Sequence, residues 1–205
     1  MTLFETIRLE YGTPRHLPWH TARLNRTRQE LFNVTSSIDI EMYLRQHPSS
    51  LLSHIPLAKL RLIYNDTGIL SHETSPYAPR VIQTITLIEA KIDYPHKYTD
   101  RANLDRLANL VEDEVLITTD DYLRDTSIAN IALRHHGVWY TPATPLLPGT
   151  TRARLLDESI LQPKEIHQST LADFDRLALM NAMTGFVELP MSVFTNTKLS
   201  TISNF

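Results

Sequence analysis

No cysteine occurs anywhere in the 205 residues. That excludes a disulfide framework and thiolate metal sites, and it is compatible with a cytoplasmic home. No apolar run approaches the roughly 18 residues needed to span a bilayer. The opening residues, Met1 to Glu10, lack the basic flank and apolar centre of a signal peptide. Neither sign of charge prevails: 20 basic against 23 acidic residues leave a net charge of -3, so there is no electrostatic case for nucleic acid or an anionic membrane. The nine histidines are scattered, with no H-E-x-x-H spacing, and no metal site is expected. What is present is ordinary for a globular chain, 42% hydrophobic and 21% charged, with enough length for one large domain or two small ones.

The pattern of apolar residues predicts α/β structure. Leu3, Glu5, Ile7 and Leu9 alternate with Phe4, Thr6 and Arg8 as a strand, followed by a turn at Tyr11-Gly12-Thr13-Pro14 and a short return near Arg15 to Leu17. Trp19 to Phe32 and Ile38 to His47 read as helices; on the first, His20, Arg23 and Thr27 share one face at i, i+3 and i+7. Strands are predicted over Ala58 to Tyr64 and Ile69 to Thr74 about the hairpin Asn65 to Gly68, then over Val81 to Ala90. A helix over Ala102 to Val111 opens the second half. Strands are expected there at Glu114 to Thr119, Ser127 to Arg134, Val138 to Thr141, Leu177 to Met180 and Phe186 to Leu189, with His135-His136-Gly137 as a turn. Helices are predicted from Thr150 or Thr151 and from Thr170, and a polar tail from Thr195 is expected to be loosely held.

Three stretches carry chemistry. Lys97 is one of only five lysines and sits where strand gives way to helix. A lysine can be a point charge, a base or an amine nucleophile; on position alone, surface decoration is the commoner case. Asp125 and Asn130 set a carboxylate and an amide about a strand start, which by themselves also describe a turn and a strand end. Pro148-Gly149-Thr150-Thr151-Arg152 gathers amides and hydroxyls at a helix N-terminus, which suits a phosphate or serves as a plain cap. A lysine, a later acid and a phosphate-binding helix start together describe what pyridoxal phosphate requires.

The order of these segments resembles the class IV (fold type IV) pyridoxal-phosphate enzymes, from Leu3 to about Glu188. Leu3-Phe4-Glu5-Thr6-Ile7-Arg8 looks like the family's first motif, and His20-Thr21-Ala22-Arg23-Leu24 like its H-x-x-R-L helix. Lys97 falls at the Schiff-base lysine. Asp125 to Asn130 follows the E-x-x-x-x-N pattern, Thr141-Pro142 with Leu147 to Arg152 follows T-P…L-P-G-x-x-R, and Asn181-Ala182-Met183 resembles the last turn on the phosphate side. Lys97-Tyr98-Thr99-Asp100-Arg101 is similar to the K-x-T-D-R of 4-amino-4-deoxychorismate lyase domains fused behind a chorismate-aminating synthase component.

The resemblance implies two α/β domains of the D-amino-acid aminotransferase type, 1–95 and 96–205, with the cofactor in the cleft between them. It implies a homodimer acting on a small amino substrate, with an aminodeoxychorismate synthase as a further partner. Lys97 would be catalytic; Arg23, Asp125, Asn130, Thr150, Thr151, Ala182 and Met183 would join it in holding pyridoxal 5'-phosphate. Thr6, Arg8 and Arg101 would meet the substrate, whose two carboxylates call for cations. The leading expectation is a lyase releasing pyruvate and 4-aminobenzoate. The alternatives are an aminotransferase of D-amino or branched-chain amino acids, or a homologue that binds the cofactor without catalysis. Two departures stand out: Asp125 replaces the family's glutamate, and the strand pair usual before the first motif is missing, as in the fused lyase domains.

Overall fold

β1 (Leu3–Glu10) alternates as its sequence requires, with Leu3, Ile7 and Leu9 fully buried on one face. It pairs antiparallel with β3 (Leu57–Tyr64) over its whole length, Leu3 opposite Tyr64 and Glu10 opposite Leu57. The short β2 (Thr13–Pro14) lies on its other side, and β4 (Ile69–Pro76) completes the sheet in the order β2-β1-β3-β4. The return strand expected near Arg15 comes two residues earlier. Tyr11 and Gly12 both take left-handed φ values, 47° and 78°, so the chain reverses in two residues.

Two helices cover the buried face. α1 (Leu17–Phe32) places Leu24 and α2 (Ile40–Arg45) places Ile40 and Leu44 against Ala58, Leu60 and Leu62. Each fully buried leucine there contributes about 2 kcal/mol. The second helix is shorter than Ile38 to His47 because Asp39 caps it from outside, its Oδ1 accepting from the Glu41 and Met42 amides at 2.8 and 3.1 Å. Arg28 ties α1 to the β3–β4 hairpin by donating to the carbonyls of Asn65 (3.2 Å) and Asp66 (3.0 Å).

This computed structural model describes residues 1–199. They form two compact units: Met1–Pro79 with His96–Asp100, and Arg80–Pro95 with the chain from Arg101 onward. This division differs from one at residues 95 and 96 in the segments Arg80–Pro95 and His96–Asp100. The open edge of the β1 start needs partners, and the Lys97 segment supplies them: the Phe4 amide donates to the Lys97 carbonyl at 3.0 Å, and the Thr99 amide to the Thr2 carbonyl at 3.1 Å. Residues before it go the other way, because β5 (Ile85–Glu89) pairs in parallel with β6 (Glu114–Thr119).

The second unit holds two sheets. The first runs β13-β5-β6-β7, with β7 (Tyr122–Thr126) antiparallel to β6 and β13 (Phe194–Leu199) parallel to β5. The tail expected to be loose is thus a strand as far as Leu199; the remainder lies outside the described residues. The strand expected from Val81 begins only at Ile85, because the Gln83 and Thr84 amides bond the Asp113 carboxylate at 2.6 and 3.0 Å instead.

The second sheet runs β10-β9-β8-β11-β12. It comprises β8 (Asn130–His135), β9 (Val138–Pro142), β10 (Leu161–Lys164), β11 (Arg176–Asn181) and β12 (Gly185–Pro190). Its Ile131, Leu133 and Leu179 pack with Leu87 and Leu116 of the other sheet in one core. On its opposite face the small Ala132 and Ala178 leave room for Leu155 of α4 (Thr150–Asp157). A second short helix, α3 (Ala102–Ala108), buries Leu104 and Leu107. The helix expected from Thr170 is only a 3-10 turn, Gln168–Asp173, since the Thr170 hydroxyl bonds the His167 carbonyl at 2.8 Å rather than capping a helix. Among the described residues no helix is long and apolar enough to cross a membrane.

Candidate active site

In the first unit the chemistry gathers on both faces of β1. Glu5 belongs to the strand's apolar side and is fully buried. It stays there because α1 presents His20 and Arg23 to it, one turn apart. His20 Nδ1 lies 2.6 Å from Glu5 Oε2, while Arg23 grips the carboxylate with Nε at 2.8 Å and Nη2 at 2.5 Å. Burial alone would raise the Glu5 pKa, but the Arg23 charge and the hydrogen bonds from His20 and Arg23 outweigh it and hold the group at about 2. Burial lowers the His20 pKa against the pull of Glu5, with the Lys97 charge adding to the lowering, so His20 is neutral and its Nδ1–H faces Glu5.

The other face of β1 carries Phe4, Thr6 and Arg8. Lys97 Nζ stands 4.7 Å from the centroid of the Phe4 ring, and the Arg61 guanidinium carbon 4.5 Å from the same centroid. Arg61 reaches that place because it sits opposite Thr6 in the β1–β3 register. Its Nε is buried with no hydrogen-bond partner among the described residues. Arg8, by contrast, pairs with Glu10 at 2.7 Å.

In the second unit Asp125 lies one residue before the end of β7 and Asn130 begins β8. The strand expected from Ser127 is interrupted there: Thr126 Oγ1 accepts from the Ala129 amide at 2.9 Å and folds residues 127–129 into a turn. That turn brings the two side chains together. Asn130 Nδ2 donates to Asp125 Oδ1 at 2.8 Å and to the Leu147 carbonyl at 2.8 Å, while the Leu147 amide donates to Asp125 Oδ2 at 2.9 Å. Burial raises the Asp125 pKa to about 6 against these bonds and the Arg152 charge. Burial lowers the pKa of Arg152, whose Nη2 donates to the Pro142 carbonyl at 2.9 Å and whose Nε has no partner among the described residues.

The same loop leads through Gly149 into α4, so Thr150 and Thr151, both buried, begin a helix directly beside the Asp125–Asn130 pair. The β11–β12 hairpin turn carries Ala182 and Met183. Asn181 Oδ1 accepts from the Met183 amide at 2.9 Å, and Asn181 Nδ2 donates to the Ile128 carbonyl at 3.5 Å. Arg101 donates to the Ser127 carbonyl at 2.9 Å and lies 3.4 Å from Asp105. Of the residues singled out in the sequence, Lys97, Arg23, Thr6 and Arg8 thus lie in the first unit. Asp125, Asn130, Thr150, Thr151, Ala182, Met183 and Arg101 lie in the second.

Sequence reasoning gave no role of their own to Glu5, Arg61, Arg152 or the Leu147 amide. Glu5 left a trace, a lone acid at an apolar-face position of a strand. Arg61 left one in the alternation of β3, but its pairing with the Phe4 face needs the register.

The amino-transferase class IV family pattern matches residues 2–189 of this chain. An uncharacterised protein of Haemophilus influenzae is 32% identical over 188 residues, covering 89% of this chain and 98% of that one. A crystal structure of a provisionally named 4-amino-4-deoxychorismate lyase from Haemophilus somnus 129pt superposes with a TM-score of 0.81 at 30% identity, covering 90% of this chain and 97% of that one. A hypothetical aminotransferase from Mycobacterium tuberculosis in its PLP-bound form has a TM-score of 0.73 at 18% identity, over 92% and 80% of the two chains, which is a likeness of fold alone.

Proposed function

The chain belongs to the amino-transferase class IV family, and on that premise we propose that it is a pyridoxal-phosphate-dependent 4-amino-4-deoxychorismate lyase, releasing pyruvate and 4-aminobenzoate. The family is pyridoxal-phosphate-dependent, and the α/β architecture is that of its fold type IV members. The observation that carries the reading is the donor set. Asp125 is a buried carboxylate next to a helix start, raised to about 6 by burial against the Arg152 charge, and a protonated ring nitrogen would be a closer cationic partner for it. Its oxygens accept from Asn130 and from the Leu147 and Leu146 amides, and a carboxylate with about four acceptor sites keeps capacity for one more donor.

Lys97 would hold the cofactor covalently. Arg23, with one edge fixed by Glu5, would serve its phosphate, as would the amides and hydroxyls of Thr150 and Thr151 and the Ala182–Met183 turn. When bound, the cofactor supplies an electron sink for the carbon that bears the substrate amine. Lys97 would take the proton from the same carbon and return one to the enolpyruvyl group as its ring–oxygen bond breaks. The products are then pyruvate and an aromatic ring. The substrate carries two carboxylates, and Arg61 and Arg8 are the cations on the Phe4 face to receive them. The reading also carries a cytoplasmic homodimer supplied by an aminodeoxychorismate synthase.

Incubation with pyridoxal phosphate, borohydride reduction and peptide mass spectrometry tests the site. A phosphopyridoxyl adduct on Lys97 and on none of the other four lysines is expected; a folded protein left unmodified there overturns the reading. Release of pyruvate from 4-amino-4-deoxychorismate without a keto-acid acceptor then identifies the lyase. Turnover that depends on such an acceptor identifies an aminotransferase instead.

A further inference from the structure

Glu114 is a buried carboxylate that the proposed chemistry does not use. It is the first residue of β6 and only 1% exposed. Its Oε1 accepts from the Ser127 hydroxyl at 2.6 Å, the Ser127 amide at 3.1 Å and the Val115 amide at 3.0 Å. Its Oε2 takes Arg80 Nη2 at 2.9 Å. A carboxylate is costly to bury and is retained in an interior only with this many partners. Satisfying the start of β6 would need the Val115 amide alone. Of the remaining three, Arg80 supplies the counter-charge and the other two belong to Ser127.

Ser127 is the middle of the step that matters, two residues after Asp125 and three before Asn130. It is gripped on every polar atom: Glu114 holds its amide and hydroxyl, and Arg101 donates to its carbonyl at 2.9 Å. The rest of the turn closes on itself, with the Thr126 amide donating to the Ala129 carbonyl at 2.9 Å and the Ile128 amide to Thr126 Oγ1 at 3.3 Å. Residues 127–129 thus have no ladder of their own and take their position from a strand neighbour. We infer that Glu114 is a positioning residue: through Ser127 it fixes the turn that sets Asp125 and Asn130 against the ring-nitrogen end of the cofactor. The part concerning the cofactor rests on the function proposed above. The part concerning the turn does not.

The test uses Glu114→Gln and, should that variant fold poorly, Ser127→Ala, which removes only the hydroxyl bond. Ser127→Thr keeps that hydroxyl and serves as the conservative rescue. In the protein without cofactor, amide hydrogen exchange over residues 127–130 should quicken about tenfold in both Glu114→Gln and Ser127→Ala, with Ile117 and Ala132 within about twofold of the parent. After loading with pyridoxal phosphate, the pH titration of the visible cofactor band should move by about one unit, and kcat should fall about tenfold with KM within about twofold. Ser127→Thr should restore the band titration. Unchanged exchange and titration overturn the inference, and so does a uniform quickening throughout the second unit, which would make Glu114 a matter of stability only. If the parent takes up no pyridoxal phosphate, the proposed function fails while the exchange measurement still decides the role of Glu114 in the turn.

Discussion

Gly149 and Asn130 leave no room for a side chain between them: a Cβ on Gly149 would lie inside van der Waals contact of Asn130 Oδ1, with Asn130 Cγ at 3.1 Å. Gly149 has an ordinary φ of -71°, so the constraint is close approach and not backbone strain. Gly149→Ala should push the Asn130 amide off Asp125 Oδ1 and the Leu147 carbonyl. The expected cost is about 1–3 kcal/mol in urea unfolding, with cofactor affinity, read by fluorescence titration, weaker by about tenfold. An unchanged midpoint and affinity would show that the helix start yields without disturbing the clamp.

Asp125 makes the cofactor-free protein less stable as pH rises. Its folded pKa is raised to about 6 from 3.8, so between those values the native state binds the proton more tightly than the unfolded chain. The penalty begins near pH 4 and is complete above about pH 6, on the order of 3 kcal/mol at most. Unfolding free energies of the parent and Asp125→Asn, followed from pH 4 to 7, should differ by an amount that changes over this window. A difference that stays flat would mean that the group titrates normally.

Glu5 acts in the opposite sense. Its folded pKa is depressed to about 2 from 4.5, so its stabilisation is present above pH 4.5 and is lost as pH falls towards 2. Glu5→Gln leaves the buried Arg23 guanidinium without its counter-charge and should destabilise by about 3–5 kcal/mol in denaturant titration. The same variant should weaken phosphate-ester binding, since Glu5 fixes one edge of Arg23.

Lys97→Met should separate chemistry from folding. The segment is anchored by the Lys97 carbonyl, which accepts from the Phe4 amide at 3.0 Å and is kept in the variant, so the fold should be retained, as read by circular dichroism. Turnover should fall by at least about a thousandfold. Retained turnover would remove Lys97 from the reaction.

Arg61→Gln should raise KM for a substrate with a carboxylate remote from its amine by about tenfold or more, with a smaller effect on kcat. Arg8→Gln should do less, because Glu10 already occupies Arg8 at 2.7 Å. Equal effects in steady-state kinetics would shift the carboxylate from Arg61 to the pair.

Much of the second unit's chemistry was legible in order along the chain, because Asp125, Asn130 and Gly149 to Arg152 are local signals: a turn, a strand start and a helix start. The strands with strict alternation, β1 and β3, were legible for the same reason. Where local signals competed, sequence patterns misled. Ser127 to Ala129 read as strand until Thr126 folded them back, and Thr170 read as a helix cap until its hydroxyl turned to His167.

The sequence by itself determined which residue types were available, their period along each element and the family they resemble. Tertiary structure alone decided partnership. Glu5 is a stable buried anion only because α1 crosses β1 at His20 and Arg23. Lys97 belongs with the first unit only because the β1 edge needs its carbonyl. Glu114 and Ser127 meet only because β7 returns along β6. Charge and hydrogen-bond satisfaction in an interior depend on atoms brought close by distant segments, and no period in the chain records which segments those will be.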